Sequence, residues 1–203
     1  MQLERLLSDK VRCLPDKIPF LSPEAIERKL GEKFLWRVGA NESKFGPSPR
    51  AMKAMQNEID NVYLYGDPDC LELRKLLANS VSLDSKNIAI GSGIDDLLGL
   101  FARLFINTGE TVVTSLGAYP TFNFHVEGYG AHLYKVPYCD DREDLVGLSH
   151  AIQSKNAKMV YLANPDNPMG TWHESDKLRW FISNIPSSCI LLLDEAYVEY
   201  APK

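Results

Sequence analysis

From residue 87 onward the chain alternates between two hydrophobic periods, and this alternation restricts its fold more than any other feature. The segments 87–90, 111–115, 132–136, 158–163 and 189–193 read as short strands, with helical patterns between them at about 94–106, 119–128, 143–154 and 174–184. Strands that alternate with helices predict right-handed βαβ units on a mostly parallel sheet, an α/β architecture with helices on both faces. No internal repeat accompanies the alternation. In open sheets of this kind a ligand binds beyond the carboxyl ends of the strands, so the residues after each strand are the candidates for function.

The chain before residue 87 carries different signals. Ser22 is placed to cap a helix, Pro23 suits its first position, and Gly31 suits its end. The stretch 38–49, rich in Gly, Pro and Asn, must be a loop. Ser48 and Pro49 then open a helix with Met52, Met55 and Ile59 on one face. After the loop Tyr65-Gly66-Asp67-Pro68, Asp69 is expected to cap a further helix running through Leu77.

Composition narrows the class. Of 203 residues 45% are hydrophobic and 24% charged, as in ordinary globular proteins. The formal net charge of −5, with no clustered Lys/Arg run, lacks the footprint of a nucleic-acid binder. No apolar run approaches the roughly 20 residues that cross a bilayer, and the charged N-terminus has no signal-peptide core. Four cysteines, with neither Cys-x-x-Cys nor paired His spacing, argue for reduced thiols and against a zinc site. A cytoplasmic protein without a metal is expected. The sequon Asn41-Glu42-Ser43 is read as chance, and His125, His132, His150 and His173 as packing or solvent-facing residues.

Four segments that follow or lead from strands carry polar chemistry. Gly91-Ser92-Gly93-Ile94-Asp95-Asp96 runs into a helix, whose free N–H groups favour an anion. It lacks the third glycine of a dinucleotide fingerprint, and a simple tight turn explains it equally well. Ala118-Tyr119-Pro120-Thr121-Phe122 follows the second strand pattern, and an aromatic beside a turn proline is more often core than platform. Asn164-Pro165-Asp166-Asn167-Pro168-Met169-Gly170-Thr171 is a turn at a strand's carboxyl end. Asp194-Glu195-Ala196-Tyr197 ends an apolar strand, where a carboxylate needs a cation or dipole unless it emerges into solvent.

Taken in order, these pieces resemble the fold-type I, pyridoxal-phosphate-dependent aminotransferases (class I/II), most closely the histidinol-phosphate aminotransferase branch. The segment 41–49 is similar to that family's Asn-Glu-Asn-Pro-x-Gly-Pro-Ser-Pro, and Tyr65-Gly66-Asp67-Pro68 with Leu73-Arg74 to its Tyr-Pro-Asp-Pro and Leu-Arg. The segment 91–96 is similar to Gly-x-Gly-Ser-Asp-Glu, 164–170 to Asn-Pro-Asn-Asn-Pro-Thr-Gly, and 194–197 to Asp-Glu-Ala-Tyr.

The resemblance implies a three-layer large domain, with residues 1–35 an N-terminal arm or part of the small domain and 36–203 a partial cofactor-binding domain. It implies that Asp194 pairs with the pyridine nitrogen of pyridoxal 5′-phosphate, keeping the ring an electron sink. Asn167 and Tyr197 would hydrogen-bond its phenolic oxygen, and Phe122 would stack on the ring. The N–H groups of Ile94 and Asp95 would hold the phosphate, and Tyr65 would reach the phosphate in a neighbouring subunit, which implies a homodimer. The expected substrates are histidinol phosphate and 2-oxoglutarate, in histidine biosynthesis. Threonine-phosphate decarboxylases and other amino-acid aminotransferases share these motifs. A third reading is a non-catalytic truncated partner of a full-length subunit.

Met169 stands where the family has Thr, and Ser43-Lys44 where it has Asn-Pro. The family's Schiff-base lysine falls in a Ser-Lys segment expected beyond Lys203, and Lys203 itself is too near Asp194 to match it. No residue here is therefore assigned the catalytic lysine's role. The chain is expected to be an N-terminal portion, cut before the small domain and inactive alone.

Overall fold

The computed structural model describes residues 3–15 and 20–201; Lys203 lies outside them. The chain forms two compact units, one made of the residues before Leu21 together with those from Ser92 onward, the other of Leu21–Gly91. This division by compactness falls at other positions than the 35/36 boundary read from the sequence.

In the first unit a short helix α1 (Asp9–Arg12) is fastened by Lys10, whose Nζ donates to Thr108 Oγ1 at 2.6 Å and to the Tyr129 carbonyl at 3.2 Å. The second unit holds α2 (Pro23–Leu30), α3 (Pro49–Glu58) and α4 (Leu71–Ser80). The Ser22 hydroxyl accepts from Ala25 N–H, and Gly31 closes α2 in the left-handed region at φ 79°. At α4 the cap differs from expectation. Asp67, not Asp69, accepts from the N–H groups of Asp69 and Leu71 at 3.0 and 2.9 Å. Position 70 turns left-handed (φ 45°) just before the helix, so the carboxylate three residues earlier in the loop folds over its end.

The first unit continues with α5 (Ile94–Phe105), β1 (Thr111–Ser115), α6 (Pro120–Gly128), β2 (His132–Val136), α7 (Leu145–Ser154), β3 (Met159–Ala163), α8 (Ser175–Ser183) and β4 (Ile190–Asp194). Four of the expected strands form. Segment 87–90 does not: a one-turn 3-10 helix occupies Ser85–Asn87, and Ile88 is extended with no strand beside it among the described residues. An extended run of alternating apolar residues becomes a strand only where a neighbour completes its hydrogen-bond ladder.

All pairings are parallel, in the order β2-β1-β3-β4. The path from β1 to β2 runs one way across the sheet and the path from β2 to β3 runs back past β1. Right-handed crossovers in opposite directions put their helices on opposite faces. That is what the packing shows. Val112, Met159, Tyr161 and Leu192 face α5 and α6, with Leu98, Ala102, Phe122 and Val126. Val113, Val160 and Leu162 face α7 and α8, with Leu148, Ile152 and Phe181. The alternation along β3 is the period of two expected of a strand buried on both sides. The α5–α6 contact is tight: a methyl group added at Gly99 would meet the His125 ring at 2.9 Å. His125 is thus a packing residue.

Candidate functional site

The direction of the sheet path reverses between β1 and β3, and a cleft lies beyond the strand ends there, where ligands bind in open α/β sheets. Ile94, Tyr119, Ala163, Pro165, Asn167, Asp194, Ala196 and Tyr197 line it, enclosing about 320 Å³ including the open mouth. Residues from three strand ends and one helix start converge there, the strands leaving the sheet at the same carboxyl ends. Tyr119 follows β1, Asn167 follows β3, Asp194 ends β4, and Ile94 begins α5.

Asp194 is anchored on both oxygens. Tyr161 OH donates to its Oδ2 at 2.6 Å, and the Ala196 N–H donates to its Oδ1 at 3.0 Å. Tyr161 sits on β3, fully buried, and its ring stacks on Phe122 with centroids 4.5 Å apart. Burial first, and then the Asp194 charge, raise the pKa of Tyr161 far beyond the ordinary phenol range. It therefore remains a hydroxyl donor, and the carboxylate stays fixed at the cleft wall.

The start of α5 forms another wall. Gly93, at φ 91°, adopts a conformation that favours glycine, and the helix has no side-chain cap on its N-cap residue. The first N–H groups of a helix have no partner within it. The neighbouring carboxylates are engaged: Asp96 accepts from Ser92 N–H at 2.8 Å, and Asp95 from Tyr119 OH at 2.9 Å. Burial, with a smaller contribution from Asp95, raises Tyr119 above the ordinary phenol value, so it too keeps its proton.

Of the residues singled out from sequence, Ile94, Asn167, Asp194 and Tyr197 line the cleft. Asp95 adjoins it through the Tyr119 hydroxyl. Phe122 is not among the lining residues: it is fully buried in the core against Tyr161, while Tyr119, like Tyr197, lines the cleft. Residue 119 precedes the first turn of α6 and stays at the strand end, whereas residue 122 lies on the inward face of that helix. Tyr65 belongs to the other unit and is fully exposed there. Sequence reasoning missed Tyr161, although a hydroxyl in the middle of a wholly apolar strand always needs a partner. Among the described residues no group of three or more His, Cys, Asp or Glu could hold a metal ion, and no helix is long and apolar enough to cross a membrane.

Residues 35–203 match the class I and II aminotransferase family. The chain belongs to that family. A histidinol-phosphate aminotransferase of Moorella thermoacetica is 33% identical over 183 residues, which is 90% of this chain and 47% of that protein. A crystal structure of histidinol-phosphate aminotransferase from Sinorhizobium meliloti, in complex with pyridoxal-5′-phosphate, superposes with a TM-score of 0.91 at 48% identity, covering 97% of this chain and 52% of that one. L-threonine-O-3-phosphate decarboxylase from Porphyromonas gingivalis, at 18% identity and a TM-score of 0.64 over 77% of this chain and 47% of its own, shares the aminotransferase fold. This chain spans about half the length of the curated relatives it matches.

Proposed function

We propose that this chain provides the cofactor-binding portion of a pyridoxal 5′-phosphate-dependent aminotransferase that moves the amino group of histidinol phosphate to 2-oxoglutarate. The observation that carries the reading is Asp194 at the cleft, held on both oxygens, with Asn167 and Tyr197 on the same wall.

The chemistry of the donor set fits that cofactor. A carboxylate with fixed orientation suits a protonated ring nitrogen, an amide and a phenol suit a phenolate oxygen, and a helix start with free N–H groups suits a phosphate dianion. Asp194 is thus assigned to the ring nitrogen, Asn167 and Tyr197 to the phenolic oxygen, and the N–H groups of Ile94 and Asp95 to the phosphate. When bound, the cofactor supplies an electron sink for the carbon that exchanges its amino group.

This chain's residues do the holding. Tyr161 keeps Asp194 aimed into the cleft by donating to its Oδ2. Tyr119, tethered to Asp95, presents an aromatic surface at the cleft and is assigned the stacking role in place of Phe122. Tyr65, exposed in its own unit, is assigned to the phosphate of a second copy, so the working state is read as a homodimer. Four free cysteines accord with a reducing, cytoplasmic setting.

Glutamate formation from histidinol phosphate and 2-oxoglutarate tests this reading. It should be assayed on this chain alone and on this chain joined to the remaining half of the Sinorhizobium meliloti relative. Amino transfer by the joined protein is the expected result. Release of carbon dioxide from threonine phosphate without transfer would replace the reaction, and neither activity would remove it.

A further inference from the structure

Tyr138, two residues beyond β2, touches both of the strand-end segments that deliver Tyr119 and Asn167 to the cleft. Its half-buried ring lies against Gly117, which sits between the end of β1 and Tyr119. A methyl group added at Gly117 would meet that ring at 2.8 Å, and the φ of 117° there already favours glycine. Tyr138 OH in turn donates to Asp166 Oδ2 at 2.9 Å, one residue before Asn167. Burial, and then that hydrogen bond, keep the phenol well above its ordinary pKa, so it stays a donor. One side chain thus spans from the Tyr119 segment to the Asn167 turn.

The turn is tied at three levels. Asn164 closes its base: Oδ1 accepts from His173 N–H at 2.7 Å, and Nδ2 donates to the His173 carbonyl at 3.3 Å. His173 Nε2 ties the return limb, 2.8 Å from the Glu143 carbonyl; a carbonyl only accepts, so this nitrogen carries the proton. The Asp166 backbone closes the tip. Its N–H donates to the Thr171 carbonyl at 2.8 Å, and its carbonyl accepts from Gly170 N–H at 2.9 Å.

The tip depends on how the Asp166 carboxyl is satisfied. Asp166 is 4% exposed, its Oδ1 has no hydrogen-bond partner, and Tyr138 supplies the donor to its Oδ2. A buried acceptor stripped of its donor costs more than the bond itself was worth. Without the Tyr138 hydroxyl, the tip is expected to open until water reaches Asp166, and Asn167, the next residue, moves with it.

We propose that Tyr138 is a positioning residue for Asn167, holding the turn at the cleft by bridging Gly117 and the Asp166 carboxyl. What Asn167 binds rests on the function proposed above; the hold on the turn does not.

Amide hydrogen exchange of the full chain, without cofactor, tests the hold. Tyr138→Phe keeps the ring on Gly117 and removes only the hydroxyl. In this variant the Asp166 and Gly170 N–H groups should exchange about tenfold or more faster, the effect of one lost hydrogen bond to a charged group. Lys158 N–H, which donates to the Thr111 carbonyl at 2.8 Å at the far end of the sheet, should keep the parent's rate. Asp166→Asn retains an acceptor for the hydroxyl and should retain the protection of Gly170, whereas Asp166→Ala should lose it. This second pair gives the same reading if Tyr138→Phe does not fold. Titration with pyridoxal phosphate, followed by absorbance, then tests the route through Asn167. Tyr138→Phe should weaken binding about threefold or more in the parent and have no further effect in Asn167→Ala.

Unchanged exchange at Asp166 and Gly170 in Tyr138→Phe, or at Gly170 in Asp166→Ala, overturns the hold on the turn. Equal acceleration at Lys158 overturns it as well, because the hydroxyl would then support the whole fold. Binding losses that simply add in the double variant overturn the route through Asn167. If the parent binds no pyridoxal phosphate, the proposed function fails, and the exchange rates alone decide whether Tyr138 holds the turn.

Discussion

The two units of this chain are built on different physical terms. In the unit from Ser92 onward the sheet is covered on both faces, and Tyr161, Phe122, Phe181, Leu148 and Ile152 are almost wholly withdrawn from water. In the unit Leu21–Gly91 the only buried apolar residue among those described is Ala78, while Phe45, Tyr63, Tyr65, Val62 and Leu76 stand largely exposed. Its order comes from local devices. Ser22 and Gly31 bracket α2, Arg37 reaches Glu24 and Glu42 at 2.6 and 2.7 Å, and Arg74 donates to the Ser85 carbonyl at 2.8 and 3.1 Å. Caps and turns can define a helix without giving its apolar face anything to cover it.

Substitutions on either side of this divide sharpen it. Phe122→Ala should cost the most, about 3–5 kcal/mol in chemical denaturation, because it opens a cavity against Tyr161. Tyr63→Ala, at an 81% exposed position, should change the same measurement by less than about 0.5 kcal/mol. If the two effects were equal, the contrast between the units would be false. Tyr161→Phe keeps the ring stack but leaves Asp194 short of a donor; we expect about 1–2 kcal/mol of destabilisation, read from the same unfolding curves. Ser22→Ala should be smaller, about 0.5–1 kcal/mol, and confined to α2, where faster amide exchange at Ala25 would report it. Loss of protection across the sheet in that variant would show that the units are coupled rather than separately held.

The same contrast explains what could be read from the sequence. Local signals were legible: Ser22-Pro23 with Gly31 marked α2, and the runs at 111–115 and 132–136 became β1 and β2 at the expected bounds. Features that depend on a distant partner were less so. Segment 87–90 has strand composition but no neighbour among the described residues, and the cap of α4 passed from Asp69 to Asp67 through the backbone at residue 70. That Tyr119 and not Phe122 lines the cleft turns on where α6 begins. Glu143, at the start of the helical pattern expected at 143–154, stands among the charged residues Asp140-Asp141-Arg142-Glu143-Asp144. The fold buries it, and also buries Asp166, which stands where the family motif carries an uncharged Asn.

The central claim, that the cleft bounded by Asp194, Asn167 and the start of α5 is a pyridoxal phosphate site, is tested most directly by equilibrium titration of the chain with that cofactor. The parent and Asp194→Asn should be followed side by side through the cofactor's own absorbance. Saturable binding by the parent, weakened about tenfold or more in the variant through loss of one charge-assisted contact, is the predicted result. Equal binding by both proteins, or none by the parent, would contradict the account.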